Sequence, residues 1–314
     1  MLPRPNKFII EDIYQGPPPY IFPILMQKTI DPKRVHDAPW LQVHDIEILA
    51  RFLKKSGIEP AQQPEQLINR VAGAFKSIPF ENLTKIIKAD SVVSAASAMR
   101  HPDELLGDFL KWGTGGTCFS LTASVVAVFD SLGIEAYPVL ADRHYGINTH
   151  CGLMIVQPGG NVLLLDPGYL LFAPVQIPKE QPAFFDTGFN RVELHPVNAG
   201  LRLELYTSVK GNRKLRLTFK LEPVSDSAFG KAWEQSFAFE MMTYPVLTRT
   251  VNGSHQYLQG NVLAVRDSMR TQRLILTPEK QVEFFTVSAK MDKTIVTRAL
   301  EIVKYGLNTS AAGR

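Results

Sequence analysis

Between residues 45 and 55 the apolar side chains of Ile46, Leu49 and Leu53 recur at the spacing of one helix face. Gly57 follows, where a left-handed residue ends a helix. The same period returns over residues 64–75, with Leu67, Val71 and Phe75 on one face. Pro64 falls near the first turn, where its missing N–H has no intrahelical partner to lose. Residues 102–112 predict a third helix, and residues 118–132 a further one closed by Gly133. Residues 91–99 are small and apolar and show no clear period.

Beyond Gly133 the pattern becomes strand-like. Runs at 134–141, 149–156 and 162–165 are bounded by turn residues, and Pro158, Gly159 and Gly160 form a hairpin turn between the last two. Residues 201–209 and 215–221 alternate, with turns at Gly211-Asn212 and Pro223. Residues 256–265 and 271–276 predict strands, Ser288 could cap a turn, and 294–303 predicts a helix. Helices, then strands, then a mixed tail argue for an α+β chain with separate subdomains. We place a Pro-rich arm at 1–43, a helical domain at 44–132, a β domain at 133–225 and an α/β domain at 226–314. Pro17, Pro18 and Pro19 deny the arm a helix there. Its Ile9, Ile10, Tyr20, Ile21 and Phe22 imply that it packs on the body or on a second chain.

The chain has 314 residues, 45% hydrophobic and 20% charged, which is ordinary for a globular protein. Its formal charge of +4 is mild, and no block of five or more Lys and Arg occurs, so nothing points to nucleic acid. A phosphate-rich cofactor would suit this charge without being chosen by it. Two cysteines, Cys118 and Cys151, are too few for a disulfide scaffold and imply a reducing compartment. The N-terminus has no apolar segment of signal-peptide length, and no run of 18 apolar residues occurs. A cytoplasmic protein without a membrane span is the expectation.

The candidate chemistry begins at Cys118. Gly115 and Gly116 allow a sharp turn into a helix that the cysteine opens. A thiol there faces unpaired N–H groups and the positive end of the helix dipole, which favour the nucleophilic thiolate. On this segment alone a buried structural cysteine is the stronger reading. His150 and Asp166 flank the 158–160 turn. With a three-residue loop, Gln157 faces Asn161 and Asp166 faces Gly152. His150 is then its diagonal neighbour on the same sheet face, within reach of a hydrogen bond. A carboxylate ending a buried strand needs a partner, and an imidazole supplies one. Cys118 as nucleophile, His150 as base and Asp166 as orienting acid make a triad. Cys151 should face away from His150 into the core. The close Cys/His sequence pairs of zinc sites are absent, so no metal is expected.

Three segments resemble the arylamine N-acetyltransferases, which belong with the transglutaminase-like cysteine enzymes. Residues 78–83 read IPFENL, residues 115–118 read GGTC, and Thr149-His150 with residues 165–169 (LDPGY) completes the set, in the family's order. The similarity spans roughly residues 44–305. It implies a helical bundle, a central β-barrel and a C-terminal α/β lid. It implies acetyl transfer from acetyl-CoA to Cys118 and on to an arylamine or hydrazine by a ping-pong path. Phe80 and Tyr169 fall where the family lines its acceptor pocket with aromatic groups, and Glu81 where it joins a buried ion network.

The chain also departs from the family. Thr114 stands where an Arg usually precedes the glycine pair, leaving Glu81 to find another partner, for which Arg143 is the candidate. Ser120 stands where a Glu is common, Leu170 and Leu171 replace smaller residues, and the 83–115 segment and the N-terminal arm are long. The triad is untouched, but donor and acceptor stay open. Two alternatives are an amide synthase using an acyl group on a carrier protein and a transglutaminase-like cysteine hydrolase. A scaffold that has lost catalysis is disfavoured by the presence of all three triad residue types.

Overall fold

The computed structural model describes residue 36 and residues 38–312, apart from residues 210 and 268. Helix α1 (Ile46–Ser56) starts at Asp45, whose carboxylate accepts from the N–H groups of Glu47 and Ile48. It stops at Gly57, whose φ of 64° suits glycine. Helix α2 (Pro64–Phe75) follows, then the short strand β1 (Phe80–Glu81) and helices α3 (Leu83–Ser91), α4 (Ala95–Ala98) and α5 (Pro102–Trp112). Helix α6 (Cys118–Ser131) is buried at every position from Cys118 to Phe129. A helix apolar on all sides belongs inside a protein, and this one is wedged between the other helices and the sheet.

That sheet comprises β2 (Ala136–Arg143), β3 (Gly146–Val156), β4 (Val162–Asp166), β5 (Leu171–Gln176), β6 (Ala183–Asp186), β7 (Arg191–Val197), β8 (Arg202–Val209) and β9 (Asn212–Lys220). The strands run in the order β5-β4-β3-β2-β9-β8-β7-β6, every pair antiparallel. The expected barrel takes the form of a curled half-barrel. Val139, Met154, Leu164, Leu205, Leu217 and Phe219 fill its inner face. Helix α7 (Asp226–Gln235) leads to strands β10 (Val246–Val251), β11 (Ser254–Gln259), β12 (Val262–Arg266) and β13 (Thr271–Ile275), then to α8 (Pro278–Glu283) and α9 (Lys293–Ala312). The second sheet runs β1-β10-β11-β12-β13. Phe80 pairs with Thr248 and Glu81 with Leu247, so the helical part of the chain donates a strand to the C-terminal sheet.

The β3–β4 register is the one the turn predicts: Val156 faces Val162, Leu153 faces Leu165, and the Gln157 N–H donates to the Asn161 carbonyl at 2.8 Å. Other expectations shift. The segment read as one strand at 256–265 is two, broken at Gly260 with φ 58°. The untyped stretch 91–99 ends α3 and holds α4, capped by the Ser94 hydroxyl. Strands β5, β6 and β7 were not anticipated; Pro174 and Pro196 sit within two of them and mask the alternation. The apolar residues singled out in the N-terminal arm lie outside the described residues. Where the arm is described, His36 Nε2 bonds the Ala136 carbonyl at 2.8 Å and Trp40 packs on Gly230 of α7.

Candidate active site

Two sequence segments build one support beneath Cys118. The Glu81 N–H donates to the Gly116 carbonyl at 3.0 Å, and the Gly116 N–H donates to the Pro79 carbonyl at 3.3 Å. The backbones lie so close that a Cβ on Gly115 would stand 1.8 Å from the Pro79 oxygen. The glycine is therefore demanded by the approach of the 78–83 segment. Thr117 then caps α6 without a side-chain bond, which leaves the N–H groups of the first turn facing the thiol.

His150 and Asp166 are both fully buried, and His150 Nε2 lies 2.7 Å from Asp166 Oδ2. The other Asp166 oxygen accepts from the Tyr169 N–H at 2.9 Å. The carboxylate thus holds the imidazole with one atom and the 167–169 turn with the other. That turn carries Gly168 across the site: a Cβ there would be 2.6 Å from Cys118 Cβ and 3.0 Å from His150 Cε1. The three residues expected together are brought together, with Cys118 and His150 both packed against Gly168.

The surroundings favour a thiolate. Cys118 is held well below the usual thiol range, first by a hydrogen bond from Cys151 and then by the hydrogen bond and charge of His150 and the charge of Arg143, against burial. Cys151 is pushed well up by burial and by its neighbour sulfur, so it keeps its proton, and its Sγ donates to the Thr122 hydroxyl at 3.5 Å. The imidazole's pKa would fall on burial alone, but the Asp166 charge and hydrogen bonds outweigh this and raise it. Cys151 is buried as expected, and it also influences the ionisation of Cys118, which the sequence did not indicate.

The expected Glu81–Arg143 pair does not form. Glu81 lies 3.9 Å from Arg100, which enters from between α4 and α5. Glu81 also accepts from the Thr84 hydroxyl at 2.5 Å and the Gly115 N–H at 3.2 Å. Arg100 donates to the Gly115 carbonyl and, at 2.7 Å, to Asp108. One guanidinium thus braces Glu81 and the glycine turn together. Arg143 lies on β2 instead, with one amino group 3.0 Å from His150 Nδ1 and the other donating to the Tyr145 hydroxyl at 2.8 Å. Ala141 pairs with His150, and Arg143 stands two residues on, past an irregularity in the β2–β3 register. Phe80 is buried and belongs to the same hydrophobic core cluster as Leu105, Leu106 and Phe119. The Tyr169 ring meets His150 edge-on at 6.3 Å. Among the described residues no group of three or more His, Cys, Asp or Glu side chains could hold a metal ion, and no helix is long and apolar enough to cross a membrane.

No family model matches the chain, and no curated protein matches it in sequence. Solved structures do match. The arylamine N-acetyltransferase from Mycobacterium abscessus superposes with a TM-score of 0.68 at 18% identity, over 82% of this chain and 94% of that one. The Mycobacterium marinum arylamine N-acetyltransferase in complex with CoA gives 0.67 at 16%, over 81% and 98%. A Bacillus cereus arylamine N-acetyltransferase described as having a Cys-His-Glu catalytic triad gives 0.61 at 16%, over 78% and 99%. At such identities the likeness is one of architecture, and by architecture this chain has the fold of the arylamine N-acetyltransferases.

Proposed function

We propose that the chain is an acyltransferase that moves an acetyl group from acetyl-CoA, through a thioester on Cys118, to the nitrogen of an arylamine or hydrazine. The observation that carries this reading is the buried His150–Asp166 pair beside a sulfur at the start of a buried helix. In the first half-reaction the Cys118 thiolate attacks the donor carbonyl, and the C–S bond to CoA breaks. Backbone N–H groups of the first turn of α6 are the candidates to stabilise the oxyanion. In the second, an amine attacks the Cys118 thioester, gives a proton to His150, and Cys118 leaves as thiolate. Asp166 stabilises the imidazolium formed in that step. Tyr169 would line the acceptor side. Arg216 and Arg266 lie near enough to Tyr169 to interact with it electrostatically, and cations there would suit the phosphates of a CoA donor.

Incubation with acetyl-CoA without acceptor tests the donor. Intact mass should rise by one acetyl group in the native protein and not in Cys118→Ala. No adduct from a protein whose Cys118 still reacts with iodoacetamide would move the reading to an acyl group on a carrier protein or a peptide.

A further inference from the structure

Arg216 is the extra residue of a bulge in β9: Leu215 pairs with Tyr206 and Leu217 with Leu205, and nothing on β8 opposes it. A bulge of this kind re-aims a side chain. The Arg216 Nε donates at 2.7 Å to the hydroxyl of Thr207, which is buried on the same strand face as Leu203 and Leu205. The guanidinium is thus drawn to the inner face of the half-barrel. Arg266 comes from the other sheet. It ends β12, pairs with His255, and donates with one amino group to Asn190 Oδ1 at 3.1 Å. Thr207 pairs with Val192, and Asn190 is two residues before Val192. The two anchors are therefore one strand spacing and about 7 Å of chain apart. Two guanidinium groups, from two sheets, converge there.

Among the described residues neither arginine enters an ion pair. The carboxylates on neighbouring segments are engaged elsewhere: Glu193 with Arg213 and His195, and Asp267 with Arg270. The Arg266 Nε is buried without a hydrogen-bond partner. A buried donor left unpaired beside a second cation calls for an acceptor that the protein does not supply. Burial and then the Arg216 charge lower the Arg266 pKa, as expected of two cations held together with no anion between them.

The surroundings are aromatic. Tyr169 packs on the inner-face cluster that includes Val192, Leu205 and Leu217, and its ring meets His150 edge-on at 6.3 Å. Phe189, beside Asn190, stacks on His255 at 4.4 Å between centroids. Burial and the Arg266 charge push His255 down to about 4, so near neutrality it is a ring without charge. We propose that Arg216 and Arg266 together bind a carboxylate of the acceptor, so that the preferred substrate is an arylamine with a carboxylate across the ring from its nitrogen. This rests on the reading of the site as an acyltransferase. With the amine at His150, the acceptor ring lies along Tyr169 and its carboxylate meets the arginines. Planar guanidinium groups hold such oxyanions through paired N–H bonds. A donor phosphate is the other oxyanion that suits two arginines. The rings around the pair favour the aryl carboxylate, and the experiment separates the two.

The test is calorimetric titration of the full chain with 4-aminobenzoate and with its neutral amide, 4-aminobenzamide, which needs no turnover. The native protein should bind the carboxylate at least about tenfold tighter than the amide, the worth of a hydrogen bond to a charged group. Arg216→Gln and Arg266→Gln should each lose most of that preference while binding the amide as the native protein does, which also shows that they are folded. CoA should bind all three proteins equally. Equal affinity for carboxylate and amide in the native protein overturns the proposal without recourse to any variant. So does a preference that survives both substitutions, or a loss confined to CoA, which assigns the pair to the donor. A preference for the carboxylate in a protein that never acetylates Cys118 upholds the site and sinks the acyltransferase reading instead.

Discussion

At the residue scale the site depends on close approach. Gly168 leaves no room for a methyl group against Cys118 and His150. Gly168→Ala must push one of them aside, and overpacking of this kind costs about 1–3 kcal/mol. We expect it to lower acetylation of Cys118 at least about tenfold, since misplacement of reacting groups is costly, while the protein still folds; native rates in that variant would refute the packing argument. Asp166→Asn keeps the shape and removes the charge that fixes the imidazole tautomer. Turnover should fall by about 10³–10⁴-fold with the circular dichroism spectrum unchanged, by analogy with other triads. These residues were legible because period-two strands and an odd loop bring His150 and Asp166 to one face. Arg143 and Cys151 were not, because their roles depend on how β2 lies against β3 and how α6 lies beneath them, which no local pattern records.

At the scale of elements, Arg100 ties α3, α5 and the glycine turn through Glu81. Arg100→Met leaves Glu81 buried without its cation, and breaking a buried pair in this way costs about 3–5 kcal/mol. Urea unfolding should show that loss; a midpoint within experimental error of native would mean that Thr84 and the Gly115 N–H suffice for Glu81. Helices with an apolar period, α1, α2 and α5, were readable along the chain, and so was the continuous, mostly apolar run of α6. So were strands bounded by glycine turns. Helix α7 was not, although its buried Phe229, Ala232 and Trp233 fall at helical spacing. The partner of Glu81 was also missed. The family position before the glycine pair is Thr114, and the compensating charge comes from a residue 19 positions distant from Glu81 in the chain.

For the whole molecule, Lys85 links the helical part to the C-terminal part. Its ammonium donates to the Ser236 carbonyl at 2.9 Å and hydroxyl at 2.6 Å and lies over the Phe237 ring at 4.2 Å. Burial lowers its pKa from 10.5 to about 7. Between these values the folded chain binds fewer protons than the unfolded chain. Stability should therefore rise with pH across that window, by up to about 1.4 kcal/mol per unit from this group. Below pH 7 the cost of burying the charge is felt in full. Chemical denaturation between pH 7 and 9 should show a steeper rise for the native protein than for Lys85→Met, and parallel curves would contradict this.

The account stands or falls on a covalent acyl group at Cys118, whatever the natural donor. The most direct measurement is peptide mapping after a brief exposure to p-nitrophenyl acetate, a donor that asks nothing of a CoA site. One acetyl group is expected, on Cys118, lost on adding aniline with formation of acetanilide and absent in Cys118→Ala. An acetyl group on lysines alone, or none, with the protein folded and Cys118 reduced, would contradict it.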